Sequence, residues 1–247
     1  TLEGTARVTG TQGARFDAVL DLTHRDTTGT TAVEGVAGVG FGEPIAFVAD
    51  LRVPALSFAT VGRFAPGAGL RGRGSGALQA AGTLRDLRLD AELAVDAGGA
   101  LSVEGTFDLA SEQQRYNLQA GFSAFDAAAI TSLAPTTSLT GTVVAAGVGT
   151  DPATAHATVQ AALTDLRLPA EGGQPTAVDA VDLLARVSGG LLSIDRGLVQ
   201  LASARAEVAG SFGFVPERSG TIRYQLNVDS LADFASLLPA PTDTLAE

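Results

Sequence analysis

The chain contains no lysine, cysteine, methionine or tryptophan, and only two tyrosines and two histidines. Each absence removes chemistry. Without lysine there is no Schiff base, no phosphate-loop lysine and no Ser–Lys dyad. Without cysteine there is no thiol nucleophile, disulfide or zinc-thiolate site, and oxidising and reducing compartments fit equally well. Acidic residues outnumber basic ones 27 to 16, a formal charge of −11, which disfavours nucleic acid and anionic membrane surfaces as partners. No apolar run reaches the length of a bilayer-spanning helix; the best, Thr142 to Val148, is short and bounded by glycine. Beginning at Thr1 with no methionine anywhere, the sequence reads as a piece of a longer chain.

What remains is an apolar, glycine-rich composition: 45% hydrophobic residues, 30 Gly and 11 Phe in 247 residues, with 17% charged. That is enough for a sizeable buried surface and too little charge for a disordered polyelectrolyte. The order within it is alternation. From Leu101 to Leu109 the odd positions are apolar and the even ones polar. Tyr116, Leu118, Ala120 and Phe122 follow the same rule, as do Ile222, Tyr224, Leu226 and Val228. A period of two defines strands with one apolar and one polar face. Glycine pairs at 98–99 and 189–190 mark short turns, so the expectation is an all-β antiparallel meander.

Three stretches break the alternation. Asp126–Leu133 and Ser230–Leu238 read as two helical turns each, with a capping Asp or Ser and a following proline; Ser57–Phe64 is a weaker copy. They define a loose internal repeat. Val103-Glu-Gly105 through Pro135 matches Val208-Ala-Gly210 through Pro239, and Val33-Glu-Gly35 through Pro66 follows with poorer detail. The units are 33–66, 103–135 and 208–239, with strand sets 70–102 and 139–207 between them, so the whole of 1–247 is expected to be one continuous, elongated array.

Candidate chemistry is thin. Gly67-Ala-Gly69-Leu-Arg-Gly72 satisfies a dinucleotide-loop pattern, but a strand rather than a helix should follow it, so it reads as a turn. His24 and His156 lie far apart without ligand-spaced partners, and the scattered carboxylates (Asp86, Asp90, Glu92, Asp96) suit a solvated strand face. Arg85, Arg88 and Arg167 are expected in weak cross-strand ion pairs. No catalytic residue, metal site or cofactor is expected. A carbohydrate-active enzyme would want aromatic platforms, which are missing, and an outer-membrane barrel would want aromatic girdles. A closed β-solenoid or β-sandwich adhesin shares the alternation and stands as the alternative.

The blocks Gly82-Thr-Leu84-Arg-Asp-Leu-Arg-Leu89, Ser102-Val-Glu-Gly-Thr-Phe107, Gly190-Leu-Leu-Ser-Ile-Asp-Arg-Gly197 and Ala206-Glu-Val-Ala-Gly-Ser-Phe212 resemble the TamB and wider AsmA-like family. TamB is the inner-membrane component of the translocation and assembly module. The resemblance is strongest from Leu70 to Pro239 and rests on repeat texture; low Lys and Asn content departs from it. It implies a long sheet curled into an open taco-like trough, apolar inside, with short helical turns between repeats. It further implies a periplasmic location, an inner-membrane anchor outside this piece, and phospholipid acyl chains as cargo. A partner would be an outer-membrane barrel of the TamA/BamA type. The groove is then expected to be lined by Leu101, Val103, Phe107, Leu109, Leu118, Phe122, Phe212, Phe214, Ile222, Leu226 and Val228.

Overall fold

The computed structural model describes residues 1–63, 69–96, 98–134, 136–149, 151, 153–168, 176–213 and 218–230. They form one 14-stranded antiparallel sheet whose spatial order is the chain order. The strands are β1 Leu2–Thr11, β2 Arg15–Asp26, β3 Gly29–Gly40, β4 Ala46–Ser57, β5 Arg73–Thr83, β6 Asp86–Val95, β7 Gly99–Asp108, β8 Arg115–Phe125, β9 Leu139–Val148, β10 His156–Leu168, β11 Thr176–Ser188, β12 Leu191–Leu201, β13 Ala204–Gly213 and β14 Ile222–Val228. The sheet is open: β1 and β14 are its two edges and do not pair with each other.

The alternation of the sequence becomes a register. Because residues directly opposite in an antiparallel ladder share a face, the apolar positions line up into rows running across the strands. Leu87, Leu89, Ala91 and Leu93 of β6 each belong to one such row. The Leu89 row reads Val8, Ala18, Ala37, Ala49, Ala80, Leu89, Gly105, Leu118, Ala145, Val159, Ala185, Ile194, Gly210, Ile222 and contains no polar side chain. The Ala91 row is equally unbroken, from Ala6 to Tyr224. Thirteen inter-strand steps make the band about 60 Å long, and four rows two residues apart make it about 20 Å wide.

A sheet with one apolar face ordinarily buries it against a second layer. Among the described residues none covers it: buried hydrophobic side chains are few, and the apolar positions of β6 remain partly exposed up to Leu93. The accessible surface is 15702 Å² for 24.9 kDa. A compact monomer of that mass exposes about 10,200 Å².

The one compact core among the described residues is local. Phe58, Val95 and Phe125 are buried together, with Leu56, Leu70, Leu101, Phe122, Ile130 and Leu139 packed around them. It forms where the alternation breaks. Bulges at Val53/Leu56 in β4 and Phe122/Phe125 in β8 turn the chain out of the sheet, and the first contains Pro54, which a regular ladder would not accommodate. Behind the first lies a single α-turn, α1, Phe58–Val61; behind the second, a 3-10 turn, Ala127–Ala129. Each is shorter than the two helical turns expected, and the weaker of the two sequence copies is the one that closes an α-turn. Ser57 caps α1 by accepting from Thr60 N, and Asp126 caps the 3-10 turn by accepting from Ala128 N at 3.0 Å. The third expected helical stretch, from Ser230 to Leu238, lies almost wholly outside the described residues.

The two junctions lock to each other. Leu70 bridges Thr131, Arg71 N donates to Ile130 O at 2.9 Å, and Ser132 N donates to Gly69 O at 2.9 Å. Gly72 permits this approach, because a Cβ there would sit 2.1 Å from Ala129 O. Gly69 and Gly72 of the dinucleotide-like pattern therefore serve chain packing, and β5 rather than a helix follows them; Gly67 lies outside the described residues.

Candidate functional site

The uncovered apolar face is the largest chemical feature of the molecule. Of the eleven side chains expected to line a groove, nine fall on this face by register. Leu101, Val103 and Phe107 of β7 stand opposite Phe122, Ala120 and Tyr116 of β8, and Leu118 stands opposite Gly105. Ile222, Leu226 and Val228 of β14 stand opposite Gly210, Ala206 and Ala204 of β13, while Phe212 stands opposite Leu192 of β12. Leu109 falls one residue past β7, in the turn to β8, and is 44% exposed. Phe214 lies outside the described residues. Exposure grows toward the β14 edge, where Phe212, Tyr224 and Leu226 are each more than half exposed.

The two long margins of this face differ. Along one, the turn after β2, the 57–72 segment, the β6–β7 turn and the 126–138 segment succeed one another. Here the chain folds over the apolar face and makes the Phe58/Val95/Phe125 core. A polar clamp holds α1 to the β2–β3 turn. Asp26 Oδ1 accepts from Thr28 N at 2.7 Å, Thr28 Oγ1 at 2.5 Å and Gly29 N at 3.1 Å. Its Oδ2 lies 3.1 Å from His24 Nε2 and 3.2 Å from Arg63 Nη2. The Thr28 hydroxyl, first, holds the Asp26 carboxyl well below the usual carboxylate range; burial opposes it, and His24 and Arg63 reinforce it. Ser57, fully buried, donates to Thr28 O at 3.2 Å. Ser57 thus reaches the same turn as His24 and Asp26, its hydroxyl donating to Thr28 O and accepting from Thr60 N. The cluster fastens structure.

Along the other margin the described residues form no comparable core. His156 sits there with its Nδ1 3.0 Å from Ser188 Oγ, across the β10–β11 ladder from it.

The opposite face of the sheet carries the charge. A shallow open depression of about 730 Å³ runs over Asp50, Gln79, Asp90, Glu104 and Gln119, which are successive partners in one cross-strand row. Directly opposed carboxylates such as Asp90 and Glu104 disfavour each other, and neighbouring glutamines and open water accommodate them. Cross-strand ion pairs formed on this face include Arg25–Glu3, Arg196–Asp182 and Arg186–Asp195; among the described residues none is at Arg85, Arg88 or Arg167, which corrects the expectation for those arginines. Among the described residues no group of three or more His, Asp or Glu is placed to hold a metal ion, and no helix is long and apolar enough to cross a membrane.

Sequence reasoning located the apolar face from its period. It did not locate the margins, because the Phe58–Phe125 core joins residues 67 positions apart. The paired bulges left one signal, a Ser or Asp cap directly beside a phenylalanine at Ser57-Phe58 and Phe125-Asp126. No protein-family model, curated protein or solved structure matches the chain.

Proposed function

We propose that the chain is the groove-bearing part of a TamB/AsmA-like bridge protein, carrying phospholipid acyl chains along its apolar face between two membranes. The observation that supports this most is the continuity of uncharged rows across fourteen strands, with no second layer upon them among the described residues. A hydrocarbon chain gains about 0.8 kcal/mol per CH₂ it buries, and gains it equally at every strand of an unbroken row. Such a surface favours holding a chain without fixing it at one place, as transport requires. The band, about 20 Å wide, exceeds the roughly 15 Å depth of one bilayer leaflet. A charged outer face keeps so open a sheet in solution. Location in the periplasm, an inner-membrane anchor, assembly of outer-membrane proteins and an outer-membrane barrel partner belong to the same proposal and rest on the family resemblance. The alternative, an adhesin with a sealed core, is less favoured because Phe212 of β13 and Ile222, Tyr224 and Leu226 of β14 stand open to solvent.

Photo-crosslinking tests the reading. A crosslinker at Phe107 or Phe212 should capture phospholipid, and one at Glu104, on the charged face beside Asp90 and Gln119, should not. Equal capture from both faces would overturn it.

A further inference from the structure

We infer that, in a lipid-loaded groove, headgroups project from the uncapped margin, and that this margin favours zwitterionic over anionic headgroups; the inference rests on the lipid reading above. The capped margin is shut between β4 and β9, where Phe58, Val95 and Phe125 are at most 7% exposed beneath the folded-over segments. A headgroup could leave there only by displacing that core. At the other margin the β3–β4, β5–β6 and β7–β8 turns present Phe41, Ile45, Leu84 and Leu109 to solvent, each 44–48% exposed. Turns at such positions normally carry polar residues, so four exposed apolar ones on three neighbouring turns need a reason. Leu109 N donates to Leu84 O at 2.6 Å, which joins two of the turns into one strip.

The charges on this strip match a headgroup bearing both signs. Carboxylates Glu43, Asp86, Asp108 and Glu112 outnumber the guanidiniums of Arg85 and Arg115, and both kinds occur along it. Glu43, Arg85, Asp86 and Glu112 form no ion pair among the described residues. An ammonium-bearing headgroup meets the carboxylates while its phosphate meets an arginine; a headgroup with phosphate alone meets a net repulsion.

The absence of tryptophan makes the test clean. Leu84→Trp, Leu109→Trp and, at the capped margin, Leu133→Trp (its leucine 71% exposed) each give one reporter in the full chain. The chain is loaded with phosphatidylcholine carrying a nitroxide on its choline. Quenching should be several times stronger at 84 and 109 than at 133. Equal quenching with lipid bound overturns the margin assignment and leaves the lipid reading intact; no bound lipid overturns both. In a second arm the chain extracts lipid from vesicles of phosphatidylethanolamine and phosphatidylglycerol in equal amounts. Exposed charge contacts support an enrichment of about threefold to fivefold in the zwitterionic lipid. The Glu43→Gln/Glu112→Gln variant should bring it toward parity. Enrichment of the anionic lipid, or none, overturns the headgroup preference.

Discussion

Gly141 shows how one residue type can be obligatory inside a strand. Its φ is +137°, and a Cβ would lie 2.1 Å from Ala162 O on the neighbouring strand. Only glycine holds that conformation without displacing β10. Gly141→Ala should therefore cost about 1–3 kcal/mol in urea denaturation. Gly13→Ala, in a turn with φ +78° and open space around it, should cost only the backbone penalty of about 1–2 kcal/mol. Asp26 is the residue to watch in acid. Its folded-state pKa is depressed, chiefly by the Thr28 hydroxyl, so its stabilisation is complete above the unfolded value near 4 and drains away as pH falls through the folded value. Urea midpoints followed from neutral pH downward should fall, and Asp26→Asn should flatten that acid limb while lowering the neutral plateau. A slope unchanged by the substitution would assign the acid response to other carboxylates.

At the level of elements, the strand-to-turn junctions are where this sheet has a core, and they should dominate local stability. Phe125, 3% exposed against Phe58 and Val95, should cost about 3–5 kcal/mol when cut to alanine. Phe212→Ala, on the same face but 52% exposed, should cost about 1 kcal/mol or less. Thermal or urea unfolding of the two variants separates a covered from an uncovered apolar face directly. Ser57→Ala removes the α1 cap together with a buried hydroxyl bonded to Thr28 O, and should cost about 1–2 kcal/mol. The strands themselves were legible in the sequence, from Leu101, Val103 and Phe107 and their counterparts, because the pleat converts a period of two into two faces without reference to the rest of the chain. The helical stretches were legible as caps but overestimated in length. Phe58 and Phe125 pull the chain back into the sheet's core within one turn, and that pull comes from tertiary packing rather than from local propensity.

The described residues form a ribbon in which each strand ladders only to its sequence neighbours, so cooperativity must pass from strand to strand. Amide exchange should be slowest in β4–β9, beside the capped core, and fastest in the edge strands β1 and β14. Because the native state already exposes about half as much surface again as a compact protein of its mass, its urea m-value should fall below that expected for 247 residues. A full-sized m-value would mean that the apolar face is covered in solution.

Much was therefore decided by residue order alone. Alternation made the chain all-β and two-faced, glycine placed its turns, and the missing lysine, cysteine and tryptophan removed whole classes of chemistry. Whether the apolar face would be sealed was another matter, since the same period of two serves a sandwich, a solenoid or an open sheet. Only the strand pairing, which lays the rows end to end in a single layer, and the folding of Phe58 and Phe125 over one margin but not the other, decided that. Those are contacts between distant residues, and their energy depends on the surface each buries against the other, which no local pattern encodes.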